Sequence, residues 1–269
     1  MIRVELSKLL RRPRTWVVIG LIDALPTLVA ILLALTDIGP RPGAGPVFLS
    51  AVLSNGALFP AAALAIVLPL FLPVSVAVIA GDSVAGEAQA GTLRYLLVRP
   101  VGRTRLLVAK LVASLVFVLL AVVVVAVTAY VVGTNLFGSD PVGTVTVSGT
   151  SLTPRQAVFR TLLAMLYVAF SMMGVAAMAL FLSTVTDSPL AAALGALAFL
   201  IGSSILLTLE AAQALQPYLP TRYWLSFVDL FRDPIRWREI LRGVVLQAVY
   251  LVVLLGAAWA NFTTKDVKS

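Results

Sequence analysis

The chain of 269 residues contains no cysteine and no histidine. Disulfides, thiol nucleophiles, histidine acid–base chemistry and the zinc sites built from these two residues are therefore excluded together. Charge is scarce too. Asp, Glu, Lys and Arg make up 12% of the chain, apolar residues 60%, and the mean hydropathy is +1.03. A soluble domain carries about 25% charged residues, and half that amount does not solvate a globular surface of this size. Soluble, disordered and fibrous classes fall away, and a polytopic membrane protein remains. Lysine is rarer still. Lys8, Lys110, Lys265 and Lys268 are the only four, and none follows a G-x-x-x-x-G frame, so the chain has no Walker A phosphate loop. Nor does it contain the G-x-S-x-G of a serine hydrolase elbow.

What is present in quantity is apolar runs. A span needs about 20 apolar residues to cross roughly 30 Å of hydrocarbon. Six stretches qualify: Thr15–Leu35, Ala57–Ala80, Leu111–Val132, Thr161–Leu182, Pro189–Leu209 and Gly243–Phe262. The expected fold is an all-α polytopic membrane protein, one transmembrane domain over residues 1–269 with six transmembrane helices. The net charge is +8, and the basic residues lie between the apolar runs. That placement suits topology and contact with anionic lipid head groups rather than nucleic acid.

Orientation is read from Lys and Arg. With both termini in the cytoplasm, the inner segments hold twelve and the outer ones eight, the sign the positive-inside rule expects. Residues 1–14 begin with a basic stretch that resembles a signal peptide. The apolar run behind it is too long for one and no A-x-A site follows, so it reads as an uncleaved first span. Val4, Leu6, Leu9 and Leu10 among Arg3, Lys8, Arg11 and Arg12 suit a short interfacial helix, ended by Pro13. Residues 133–154, rich in Gly, Ser, Thr and Pro, read as an outer loop with an extended stretch at Thr144–Ser148. Residues 210–242 mix Tyr218, Tyr223, Trp224, Phe227 and Trp237 with charges, which suits an outer interfacial or re-entrant segment.

Few residues in the spans carry chemistry. Asp23 is the one charged residue deep in a span, and an intramembrane acid costs about 2.5–3.5 kcal/mol on insertion scales, which makes it a candidate for the translocation path. A local hydroxyl or backbone partner is the plainer alternative. Met172 and Met173 on the fourth span are further path candidates, because methionine adapts to varied ligands, although core packing is the commoner use. Pro60, Pro69 and Pro73 predict a kinked second span. Asp229 and Asp233 form a D-x-x-x-D pair whose carboxylates would share a helix face, able to hold Mg²⁺ or simply to pair with Arg232 and Arg236. No metal site is expected.

The most informative segment follows the second span, within residues 81–105. Asp82 or Ser83 suits a helix N-cap, which would place Glu87 near the positive end of that helix. Leu93, Leu96 and Leu97 make an apolar face with Arg94 and Arg99 off it, and Gly91 marks a break. Written out, Gly86-Glu87-x-x-x-Gly91-Thr92-Leu93-Arg94-x-Leu96-Leu97-x-Arg99-Pro100-x-x-Arg103 resembles the G-E-R-E-x-G-T-L-x-x-L-L-x-x-P-x-x-R pattern of ABC-2 type permease subunits, the membrane halves of bacterial ABC exporters. Ala88 stands where that family usually has Arg. The basic N-terminal helix, the six spans and the aromatic segment before the last span fit the same family.

The resemblance implies a transport subunit rather than an enzyme, in the bacterial plasma membrane. The loop becomes a coupling helix between spans 2 and 3. It docks on a separate ABC ATPase through Gly86, Glu87, Gln89, Gly91, Thr92, Leu93, Arg94 and Arg99. ATP and Mg²⁺ would bind that partner, with no cofactor on this chain, and a second permease copy or a related chain completes the pore. The implied cargo is hydrophobic or amphipathic: a drug, antibiotic, lipid or peptide. Two other classes compete: a membrane-embedded enzyme of lipid metabolism using Asp229 and Asp233, and an ion-coupled carrier using Asp23.

Overall fold

In a computed structural model, residues 1–36, 56–92, 102–138, 144–145 and 151–264 are described. A short helix α1 (Ile2–Arg11) is followed after Arg12 by α2 (Pro13–Thr36). Pro13 separates the two as its missing N–H and fixed φ dictate: it cannot continue α1, but it fits the first position of α2. A 3₁₀ turn (Gly56–Leu58) leads into α3 (Phe59–Val67) and α4 (Phe71–Gln89). Then come α5 (Arg103–Phe137), a two-residue antiparallel ladder of β1 (Thr144–Val145) with β2 (Ser151–Leu152), α6 (Pro154–Val185) and α7 (Pro189–Leu206). Three 3₁₀ turns (Glu210–Ala212, Gln216–Tyr218 and Trp224–Phe231) precede the last helix, α8 (Trp237–Thr264).

Six of these helices, α2 and α4 to α8, are long and apolar enough to cross a membrane. The bundle is built around α6, where 67% of the most apolar stretch is buried, against 17% in α8 and 22% in α2. Helices α4, α7 and α8 pack on α6, while α2 and α3 pack on α5. Small side chains allow the close approaches. A β-carbon on Gly81 would sit 3.1 Å from the Ala193 backbone nitrogen of α7, the arrangement by which small residues let membrane helices meet.

The spans differ from the sequence expectation at their ends. Helix α5 runs about 52 Å at 1.5 Å per residue, far past the apolar run Leu111–Val132. Hydropathy reports where hydrocarbon ends, not where the helix ends. Residues 133–137, expected in a loop, stay helical because their polar side chains bond back into the helix: Thr134 Oγ1 donates to the Tyr130 carbonyl at 2.8 Å and Asn135 Nδ2 to the Val131 carbonyl at 2.7 Å. Likewise α6 starts at Pro154 and α8 at Trp237, well before the expected Thr161 and Gly243. The second span, expected as one kinked helix, is two, interrupted at Leu68–Leu70. An apolar cavity of about 360 Å³ opens beside that interruption, lined by Pro69, Pro73 and Trp224.

The start of α6 has a full capping box. Thr153 Oγ1 accepts from the Gln156 backbone N–H at 3.3 Å, and Gln156 Oε1 accepts from the Thr153 backbone N–H at 3.0 Å. Thr153→Ala is expected to lower stability by about 1 kcal/mol, read as a reduced thermal midpoint of the detergent-solubilised protein. An unchanged midpoint would mean the first turn of α6 adds nothing to the folded bundle.

Residues 210–242, expected as an outer interfacial or re-entrant segment, fold into the bundle through their aromatic residues. Tyr223, Trp224, Phe227, Leu230 and Phe231 are buried, whereas Tyr218 and Trp237 are exposed. The segment folds back onto α6 and α8. Tyr167 Oη donates to the Tyr223 carbonyl at 2.6 Å, Gln247 Nε2 to the Pro220 carbonyl at 2.7 Å, and an Arg160 guanidinium to the Arg232 carbonyl at 2.9 Å. Asp229 is paired with Arg232 at 2.6 Å.

Candidate functional site

One cluster of charged residues in this apolar bundle lies at the end where α1 packs. Helix α1 turns Glu5 and Leu9 toward the bundle and leaves Ile2, Val4 and Leu10 exposed. Glu5 faces Lys110, which enters from the second turn of α5 and is buried to 1% side-chain exposure. Glu87, near the end of α4, completes a ring. Its Oε2 lies 3.0 Å from Lys110 Nζ and its Oε1 3.1 Å from Lys8 Nζ; Lys8 also meets Glu5 at 3.2 Å, and Lys110 meets the other Glu5 oxygen at 3.6 Å. Glu87 Oε2 makes no hydrogen bond among the described residues, so the contact with Lys110 is an ion pair by distance alone. Two acids and two lysines from three helices thus neutralise one another. Burial pushes the Lys8 ammonium toward neutrality, but its hydrogen bond to Glu87 and the charges of Glu87 and Glu5 outweigh that and hold it above the ordinary lysine range.

A second cluster adjoins the first. Asp82, one and a half turns before Glu87 on α4, takes both Arg12 (3.2 Å) and Arg14 from the junction of α1 and α2. A cleft of about 840 Å³ lies between α1, α4 and α5, lined by both clusters and by Thr15, Ser83 and Ser114.

The end of α4 explains part of the motif. Gly91 has φ +67°, the left-handed region that only glycine enters freely. The Thr92 N–H bonds the Glu87 carbonyl at 3.0 Å and the Gly91 N–H the Ala88 carbonyl at 3.0 Å, which together are a Schellman cap. Thr92 Oγ1 adds a third bond to the Glu87 carbonyl at 3.2 Å. Gly91 and Thr92 therefore terminate the helix, and Glu87 supplies both the carbonyl for that cap and the carboxylate for the lysines.

This corrects one expectation. Asp82 and Ser83 do not cap a new helix, because α4 continues through them to Gln89. Glu87 consequently sits at the negative end of a helix dipole, an unfavourable place that its two lysines offset. One step of the α4 hydrogen-bond ladder is nevertheless bridged near the expected boundary. Ser183 of α6 inserts its hydroxyl, donating to the Gly81 carbonyl at 2.7 Å and accepting from the Val84 and Ala85 N–H groups at 3.0 and 2.8 Å. Such an insertion bends a helix without ending it.

The other candidates are placed as follows. Gly86 packs beneath the Asp82 carboxyl, whereas Gln89, Gly91 and Thr92 are exposed. Leu93, Arg94 and Arg99 lie outside the described residues. Asp23 is half-buried on α2 beside Thr128 of α5, with its Oδ1 buried and unpartnered among the described residues. Met172 and Met173 are buried in the core rather than lining either cavity. The sequence reading missed the ring itself. Neither Glu5 nor Lys110 belongs to a motif that the sequence offers. The available signal was an acid at position 5 among basic residues and a lysine displaced a full turn into an apolar helix.

Six helices long and apolar enough to cross a membrane make this a multi-pass membrane protein, with a ring of paired charges at the end where α1 packs. The chain belongs to the family described as "Protein of unknown function (DUF2705)", whose profile matches residues 47–268. No curated protein matches it.

Proposed function

We propose that the chain is the transmembrane permease subunit of an ATP-driven ABC exporter, set in the bacterial plasma membrane with both termini cytoplasmic. The carrying observation is the end of α4. Glu87 anchors it to α1 and α5, and immediately beyond, Gln89, Gly91 and Thr92 turn outward, leading into the stretch that resembles the ABC-2 coupling loop. In this reading α1 lies at the cytoplasmic interface and residues 81–105 form the coupling segment. A separate ATPase, carrying ATP and Mg²⁺, docks on the segment's exposed side. A second permease copy or a related chain completes the path for a hydrophobic or amphipathic cargo. Motion imposed at Thr92 would reach α1 and α5 through the lysine–glutamate ring, which joins the end of α4 to both helices.

The test is co-purification. The tagged chain taken from its native membrane is expected to carry a soluble ATPase, and Gln89→Ala with Arg94→Ala is expected to lose it while the permease stays folded. Gln89 is the residue changed because it is exposed, whereas Glu87 is tied inside the chain. No ATPase with either chain would end this reading. It would favour instead an ion-coupled carrier, for which the buried, unpartnered oxygen of Asp23 is the one supporting observation.

A further inference from the structure

We propose that the cleft between α1, α4 and α5 holds the phosphate of an anionic membrane phospholipid, at the N-terminus of α2 and gripped by Arg12 and Arg14. Charge in the cleft is unevenly matched. Lys8 and Lys110 meet Glu5 and Glu87 one for one, but Arg12 and Arg14 share the single carboxylate of Asp82. A guanidinium has five N–H donors, and each arginine uses one of them on Asp82. One positive charge and most of the donors are left over. Arg14 belongs to the first turn of α2, a helix of 24 residues whose positive dipole end favours an anion, although Pro13 has no N–H there and the Thr15 N–H is bonded to the Arg12 carbonyl at 3.1 Å.

Thr15 supplies an independent observation. It is fully buried, it lines the cleft, and its Oγ1 has no hydrogen-bond partner among the described residues. A phosphate diester satisfies all three: one negative charge, oxygens for two guanidiniums in charge-assisted bonds, and an acceptor for a buried hydroxyl. The surroundings point to lipid rather than to free phosphate. The cleft opens where the first apolar helix begins, beside Trp16, which is 49% exposed and donates its indole N–H to the Leu10 carbonyl at 2.9 Å. Tryptophan favours that depth. Val4, Leu9, Ile79 and Ala113 add apolar lining, and about 840 Å³ is far more room than one phosphate fills.

The experiment uses the full chain in detergent with equimolar phosphatidylglycerol and phosphatidylcholine, and counts bound lipid by native mass spectrometry. A parallel arm adds inorganic phosphate. Phosphatidylglycerol is expected to be retained about tenfold over phosphatidylcholine, and Arg12→Gln with Arg14→Gln should abolish that preference. Asp82→Asn, which frees both guanidiniums, should raise retention several-fold, a gain that a damaged fold does not imitate. Arg242→Gln, at the opposite end and paired with Glu239 at 3.0 Å, should change nothing. Equal retention of the two lipids, persistence of the preference in the double arginine variant, or no gain in Asp82→Asn would each overturn the proposal. Displacement of phosphatidylglycerol by millimolar phosphate alone would instead make this a soluble-anion site and overturn the lipid assignment. None of these readouts depends on an ATPase, so the proposal and the transport reading fail separately.

Discussion

Glu87→Ala is expected to destabilise the purified protein by about 3 kcal/mol, the low end of the roughly 3–5 kcal/mol lost when one partner of a buried ion pair is removed. The reason lies with Lys110 rather than with Glu87. Lys110 is buried to 1% side-chain exposure and has Glu87 at 3.0 Å and Glu5 at 3.6 Å. Without Glu87 its charge stays buried with only the longer contact, and Glu5 keeps the loss from reaching the upper end of the range. Lys110→Met should be much milder, since Glu87 keeps Lys8 at 3.1 Å. The two changes together should recover much of what Glu87→Ala loses, because the double variant leaves no lysine charge buried beside the lost carboxylate. Thermal unfolding of the four chains in detergent measures the coupling directly. A Glu87→Ala midpoint no lower than that of Gln89→Ala, a neighbour with an exposed side chain, would sink the argument. So would a double variant as unstable as Glu87→Ala alone.

The same asymmetry bears on how the motif is read. A glutamate, a glycine and a threonine spaced as Glu87, Gly91 and Thr92 resemble a docking surface for another protein, yet all three have work inside this chain. Glu87 holds two lysines, Gly91 takes the left-handed turn, and Thr92 closes the cap. A motif of this kind specifies the shape of a helix end before it specifies a partner. Gln89 and Arg94 are therefore better probes of docking than Glu87, whose removal acts through the fold.

The six spans were legible because hydrocarbon imposes a length on apolar runs, and no soluble context competes with that signal. The break at Pro13 was legible for a comparable reason: the ring leaves one arrangement open. The ring of Glu5, Lys8, Glu87 and Lys110 was not, since its members are separated by up to 105 positions and charge pairing has no period along a sequence. Asp82 misled, because an acid at a span boundary looks like a cap, while here two arginines from the junction of α1 and α2 claim it. The burial of Trp224 and Phe227 was hidden likewise: aromatic residues among charges suit an interface equally well, and only contact with α6 and α8 decides.

Glycine is where sequence and structure part most plainly, and it carries the second large expected effect. Gly133 sits in the fifth helix where the 3₁₀ turn Gly56–Leu58 crosses it, and the two glycines meet backbone to backbone. A β-carbon on Gly133 would lie 2.6 Å from Cβ of Phe59 and 2.5 Å from the Gly56 carbonyl oxygen, neither of which is the free end of a side chain. Gly133→Ala thus sets two terms against each other. Helix propensity favours alanine by about 1 kcal/mol, and overpacking against fixed backbone costs about 3 kcal/mol, the top of its usual range. The clash wins, for a net loss near 2 kcal/mol. Gly20 of the first long helix isolates the first term, because a β-carbon there meets nothing within 4 Å; Gly20→Ala should stabilise by up to about 1 kcal/mol. The two substitutions are chemically identical and both lie in helices, so opposite shifts of the thermal midpoint would establish that the Gly56–Gly133 crossing holds the second span against α5. Shifts of the same sign would mean that this crossing is loose enough to admit a methyl group.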